Sequence, residues 1–84
     1  MMHLAYDYNF SYNPKVSRYV FCDNQNGSIR HILHCGYCFQ IQHAGEWHDV
    51  RIELNHSGWY LVGFAACSLS DLEGCPCRHK PINT

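Results

Sequence analysis

The chain has 84 residues, of which 46% are hydrophobic and 14% aromatic, and its formal net charge is −1 at pH 7. This composition excludes a disordered chain and allows one domain with a modest core. Six Lys and Arg balance seven Asp and Glu, which argues against the strong positive field of most nucleic-acid-binding domains. No apolar run in the sequence is long enough to cross a membrane.

Aromatic residues alternate with polar residues near the N-terminus. The aromatic positions are Tyr6, Tyr8, Phe10 and Tyr12. This period of two predicts a β-strand with one aromatic face, which ends before Pro14. Residues 1–17 therefore form an N-terminal strand region.

A hairpin is predicted over residues 18–34. Residues 18–22 are rich in strand-forming side chains, and residues 28–33 supply the returning strand. Between them, Asn26-Gly27 is a dipeptide typical of tight hairpin turns.

Three further strands are predicted as a meander, at residues 39–43, 47–54 and 59–63, with turn residues between them. The last of these is apolar throughout, which predicts a central strand of the sheet. One helical turn is expected near residues 68–74, and residues 80–84 are expected to be a tail.

These patterns predict a single domain, 1–84, of the mainly β (small α+β) class. We expect an antiparallel meander or small barrel with at most a short helix. Its regions are the N-terminal strand region 1–17, the hairpin 18–34, the meander 35–79 and the tail 80–84.

Two tight cysteine pairs bracket the meander. Cys35 and Cys38 form a CxxC motif, and Cys75 and Cys77 form a CxC motif. Four thiolates complete the tetrahedron that zinc prefers, and so short a chain gains stability from a metal staple. We therefore expect a structural Zn²⁺ on these four cysteines. The pairs are similar to zinc-ribbon knuckles, although the spacing of the second pair and the place of Gly36 differ from them.

The metal interpretation has alternatives. Packed thiols or a disulfide would also account for the two pairs. His79 or His34 could replace one of the thiolates, although a surface or hydrogen-bonded role is more usual for a single histidine. Cys22 and Cys67 lack close cysteine partners in the sequence and are expected to be packed thiols.

The N-terminus lacks the basic region and apolar run of a signal peptide. We therefore expect the protein in a reducing cytoplasm, where paired cysteines are more often metal ligands than disulfides.

Enzymatic motifs are missing from the sequence. The CxxC motif is followed by an alternating pattern, not by the helix of a disulfide oxidoreductase. His48, Asp49, Glu53 and His56 offer acid and base groups, but no nucleophile motif accompanies them. A four-cysteine zinc also has no open position for water. We expect Arg51 and Glu53 to form a solvated ion pair on the polar face of their strand.

A non-enzymatic binding role remains. Tyr and Trp side chains are efficient anchors in protein interfaces, which favours a protein-binding module. The alternative is a small zinc-containing nucleic-acid-binding domain, because exposed aromatic residues on a β-sheet can stack on bases.

Four segments resemble a small uncharacterised domain family of Gram-positive bacteria, their phages and mobile elements. They are LHCG at 33–36, GEWHDVRIE at 45–53, GWYLVG at 58–63 and LEG at 72–74. The resemblance implies a short β meander and supplies no activity. The family continues as an ordinary strand after the last glycine, where this chain has Cys75 and Cys77, and this departure favours an added metal site.

In size, composition and lack of enzymatic motifs, the chain is also similar to anti-CRISPR proteins, some of which contain zinc. By analogy, this resemblance implies a phage or mobile-element inhibitor that binds a type II Cas nuclease in the cytoplasm of a bacterial host cell. We expect such a protein to be a monomer.

The zinc interpretation predicts about one zinc per purified chain. Cys38→Ser should lower both metal content and melting temperature, because metal binding is coupled to folding. Cys22→Ser is the matched control and should retain the metal. Elemental analysis checks both variants, and equal metal loss from the two would show that the ligand assignment is wrong.

Overall fold

The structure is a computed structural model that describes residues 8–65 and 67–80. These residues form seven strands and one short 3₁₀-helix. The elements are β1 (Tyr8–Asn13), β2 (Arg18–Asp23), β3 (Ile29–Ile32), β4 (Cys38–His43), β5 (Glu46–Asn55), β6 (Gly58–Val62), the 3₁₀-helix (Leu69–Leu72) and β7 (Pro76–His79). No helix in the described part of the chain is long and apolar enough to cross a membrane.

All seven strands belong to one antiparallel sheet in the order β3-β2-β1-β7-β4-β5-β6. The chain first builds β1 to β3 by successive pairing and then β4 to β6 in the same way. The last strand, β7, enters between β1 and β4. Cys77 pairs with Tyr8 on one side and with Ile41 on the other. Residues from the C-terminal part therefore join the two halves into one sheet.

One face of the sheet carries the core. The fully buried side chains of this core are Phe10, Phe21, Leu33, Phe39, Ile41, Ile52 and Cys77, with Leu72 at 1% exposure. The sheet is bent, because Tyr19 of β2 meets Trp59 of β6 with ring centroids 6.5 Å apart, although four strands lie between these two in the sheet order. The bend lets a single open sheet pack its aromatic face against itself.

The other face of the central strands is polar. Arg51 Nε lies 2.7 Å from Glu53 Oε2, which confirms the predicted ion pair. The guanidinium of Arg78 lies 3.9 Å from the ring centroid of Trp47 and thus covers an aromatic side chain that faces away from the core. This alternation of apolar and polar faces is what the period-two sequence pattern indicates.

The 3₁₀-helix inserts Leu72 into the core and leads the chain into β7. Just after it, the Glu73 carboxylate accepts hydrogen bonds from the Tyr12 backbone N–H at 3.0 Å and from the Ser11 hydroxyl. The Gly74 N–H then donates to the Phe10 carbonyl at 2.7 Å. These bonds to β1 fix where β7 begins.

Most predicted strands are confirmed, but the placement of one strand is wrong and another strand was not predicted. The hairpin and the meander form as expected. The strand predicted at residues 59–63 as central is the edge strand β6, since two of its side chains face the core and the others face solvent. The strand β7 was not foreseen. Parts of the predicted regions, residues 1–7 and 81–84, lie outside the described residues.

Leu72→Ala should lower the free energy of unfolding by about 2–5 kcal/mol, because it removes a fully buried side chain and leaves a cavity. Leu54→Ala is the matched control, since Leu54 is 49% exposed, and it should cost under about 1 kcal/mol. Chemical denaturation measures both values. Equal losses would contradict the central packing of the 3₁₀-helix.

Candidate functional site

The edge strand β6 presents apolar side chains on both of its faces. Its inner side pairs with β5, from Arg51↔Val62 to Asn55↔Gly58. Within the described residues, no backbone hydrogen bond is formed along its outer side. Trp59 and Leu61 pack against the core, whereas Tyr60 and Val62 face the other way and are 41% and 38% exposed. Packing against the core therefore accounts for the apolar side chains of Trp59 and Leu61, but not for those of Tyr60 and Val62.

An apolar pocket of about 430 Å³ lies beside β6 on the core side of the sheet. Its walls include Trp59 and Leu61 of the strand, and Phe64 and Leu69 of the segment that follows. The turn that starts this segment requires glycine. Gly63 has φ of 101°, and a Cβ there would lie 2.6 Å from the Asp49 carbonyl oxygen. The pocket wall is thus held close to β5.

The opposite edge, β3, has features that discourage strand addition. It is only four residues long, and Arg30 and His31 occupy its middle. Arg30 also lies 3.9 Å from the Asp23 carboxylate, and the pairing with β2 shifts register between Phe21 and Cys22. Short length, charge and irregular register are the means by which proteins protect sheet edges. By contrast, β6 contains neither a charged residue nor a proline.

A cluster of histidine and tyrosine forms where β3 and β7 approach the start of β4. The Tyr37 hydroxyl shares a hydrogen bond with Nδ1 of His79. The ring centroids of His31 and His79 are 5.1 Å apart, and Phe21 packs against both imidazoles. Sequence reasoning missed this cluster, because it depends on the position of β7.

The electrostatics of this cluster favour neutral groups. Burial lowers the pKa of His31 below its ordinary value, and the nearby imidazoles of His79 and His34 lower it further. Burial also raises the pKa of the Tyr37 hydroxyl, with smaller contributions from Tyr8 and Cys38. The cluster therefore supplies packing and hydrogen bonding and favours the neutral forms of His31 and Tyr37.

The structure does not bring the four predicted zinc ligands together. Cys38 lies at the exposed start of β4, whereas Cys77 is buried opposite Ile41. Ile41 follows Cys38 by three residues on β4, so Cys38 and Cys77 are separated by about 10 Å along the strand direction. Their side chains also point to opposite faces of the sheet, because Cys38 alternates with the buried Phe39. Cys35 is exposed beyond the strand, and Cys75 is half-buried at the far end of the β4–β7 ladder.

Across the described residues, no three His, Cys, Asp or Glu side chains are grouped so that they could hold a metal ion. Of the two histidines that could replace a zinc-binding thiolate, His79 is hydrogen-bonded to the Tyr37 hydroxyl and His34 is exposed. The structure instead places Cys67 Sγ 4.0 Å from Nε2 of His43. The four-cysteine zinc site draws no support from this fold and stays a prediction for metal analysis.

Comparison with known proteins places the chain in a family. A family model for a domain of unknown function (DUF5348) matches residues 9–79. The chain belongs to the DUF5348 family. The match runs from β1 to the end of β7, so the DUF5348 domain includes all seven strands of the sheet.

A solved structure supports the same fold. The DUF5348 domain is similar to a protein from Ruminococcus gnavus whose crystal structure was determined by the Northeast Structural Genomics Consortium, with 32% identity and a TM-score of 0.69. The likeness covers 84% of this chain and 96% of that one. No curated protein matches the chain.

The stability of the domain should fall in mild acid partly through His31. Its folded pKa lies below the ordinary value of 6.5, so the unfolded chain binds a proton more readily. Neutral His31 makes its whole contribution to the free energy of unfolding above pH 6.5. This contribution is lost as the pH falls through the pKa of His31 in the folded protein.

The substitution His31→Gln should therefore reduce the loss of unfolding free energy that occurs when the pH is lowered from about 7.5 to about 5. Denaturation curves at both pH values measure this, with His56→Gln in the exposed β5–β6 turn as control. If wild type and His31→Gln lose the same amount, the folded cluster does not disfavour the imidazolium.

Proposed function

We propose that the DUF5348 domain is a non-enzymatic protein-binding module whose binding surface is the β6 edge with its neighbouring pocket. One observation carries this proposal. An uncharged edge strand exposes Tyr60 and Val62 on one face and adjoins an apolar pocket on the other. Exposed apolar surface at an unprotected edge is costly for solubility, and its usual explanation is a partner.

Strand addition is the binding mode that this geometry favours. An extended segment of a partner would hydrogen-bond to the open backbone groups of β6. Its side chains would alternate between the two faces of the sheet. Those on one face would enter the pocket beside Trp59 and Leu61, and those on the other would contact Tyr60 and Val62. Backbone pairing provides affinity, and the pocket provides selection for large apolar side chains.

The narrower hypothesis is a phage or mobile-element inhibitor of a type II Cas nuclease. It is supported by the small size and near-neutral charge of the chain and by its resemblance to anti-CRISPR proteins. The binding edge proposed here does not require a zinc ion, because no cysteine belongs to β6. Whether zinc is present and whether a Cas nuclease is the partner are therefore separate proposals.

Nucleic-acid binding is the less favoured alternative. All four arginines contact other side chains of the domain. Arg18 and Arg78 lie over Trp59 and Trp47, and Arg30 and Arg51 lie beside Asp23 and Glu53. These contacts distribute the positive charge instead of lining one groove with it. Binding to bare DNA or RNA that weakens steeply with salt would favour this alternative.

Selection from a displayed library of random peptides tests the binding surface. Peptides enriched on the immobilised wild-type domain should carry large apolar residues at alternate positions. Tyr60→Lys places a charge on the edge and should weaken their binding by about tenfold or more. Tyr12→Lys is the matched control, because Tyr12 is 40% exposed and lies on β1, which is not an edge strand of the sheet. Absence of enrichment, or equal binding by both variants, would contradict the proposal.

A further inference from the structure

We infer that the strand added to β6 in the purified protein is β6 of a second copy, so that two domains form a two-fold dimer with one continuous sheet. This inference rests on the proposed function, since it names a partner for the same edge. It replaces the monomer expected from the sequence.

The sequence of β6 is complementary to itself in the antiparallel direction. With the two-fold axis at Tyr60, Trp59 lies opposite Leu61 of the second copy, and Gly58 lies opposite Val62. Residues directly opposite each other in an antiparallel pair project from the same face. Each copy therefore places its Trp59 and Leu61 on the core face and its Tyr60 on the outer face, in line with those of the other.

Each of these cross-strand pairs is favourable. The pair of Trp59 with Leu61 buries apolar surface between two large side chains, and a pair of tyrosines stabilises a sheet as an aromatic pair. Gly58 lies opposite the β-branched Val62 of the second copy, so the side chains at each end of the paired strands do not clash. Because β6 has no charged residue, no like charges meet at the two-fold axis.

The neighbouring surface extends this complementarity. The pocket continues the apolar core face past β6, with Phe64 and Leu69 among its walls. In the dimer, Trp59 and Leu61 of the second copy would come next to this pocket and remove it from water. On the outer face, Val62, which is 38% exposed, would flank the paired tyrosines.

The two edges of the sheet differ in a way that closes the assembly at two copies. Pairing of β6 with β3 would leave one edge of each kind open and would continue into a fibre. Arg30 and the register irregularity next to β3 oppose that pairing. When β6 pairs with β6 of a second copy, both unprotected edges are covered. The two edges that remain open are the protected β3 strands.

Sedimentation equilibrium of the purified chain between about 5 and 200 µM tests the dimer. Wild type and Tyr12→Lys should sediment as dimers, whereas Tyr60→Lys should be a monomer that retains the wild-type circular dichroism spectrum. Since Tyr60→Lys could disturb folding, a photoreactive phenylalanine analogue at position 60 provides a second measurement. Irradiation of that purified variant should join two copies through β6 peptides, and the same analogue at position 12 should not.

The outcomes separate this inference from the proposed function. A monomeric wild type, or a dimer that survives Tyr60→Lys, overturns the two-fold pairing. If displayed peptides still require Tyr60 in that case, the binding edge stands and its partner is another protein. If neither self-association nor peptide binding depends on Tyr60, both the dimer and the binding edge are wrong.

Discussion

The insertion of β7 between β1 and β4 is the constraint on which the rest of the sheet depends. Cys77 pairs with Tyr8 and Ile41 at once, so a strand of four residues connects two halves that share no other ladder within residues 8–65 and 67–80. Its backbone satisfies polar groups of β1 and β4 that would otherwise form two further open edges. The bonds from Gly74 and to Glu73 hold this strand in register.

This order also decides which strand is left at the edge. Because β7 occupies the centre, β5 is the one strand beside β6 among the described residues. An apolar run such as Trp59 to Val62 usually indicates a strand that is buried on both faces. Here the fold partly buries one face, with Trp59 and Leu61, and leaves the other face exposed. That difference is the physical basis for a binding edge. The pocket beside it exists because Gly63 allows the following segment to turn against Asp49.

Local patterns were sufficient to predict most of the sheet. The turn at Gly27 and the alternation in β4 and β5 depend on residues close in sequence, and the structure confirms them. The central strand β7 could not be found in this way. It is short, and it begins with Pro76, which can occupy the first position of a strand but rarely its middle. Its partners lie more than 30 residues away in the chain.

The placement of the two cysteine pairs depends on the same long-range pairing. Their spacing predicts a shared metal ion, but spacing says nothing about which face of the sheet each thiol occupies. Because β7 pairs with β4, the Cys77 side chain lies in the core and the Cys38 side chain lies on the opposite face of the sheet. The His31–His79 contact arises from the same pairing. Both arrangements follow from long-range register, which a single sequence does not display.

Cross-strand nuclear Overhauser effects from β7 test the central claim most directly. In the folded domain, backbone protons of Cys77 should show cross-strand contacts to both Tyr8 and Ile41. Contacts to only one of these residues, or to none, would contradict the insertion of β7 and with it the assignment of β6 to the open edge.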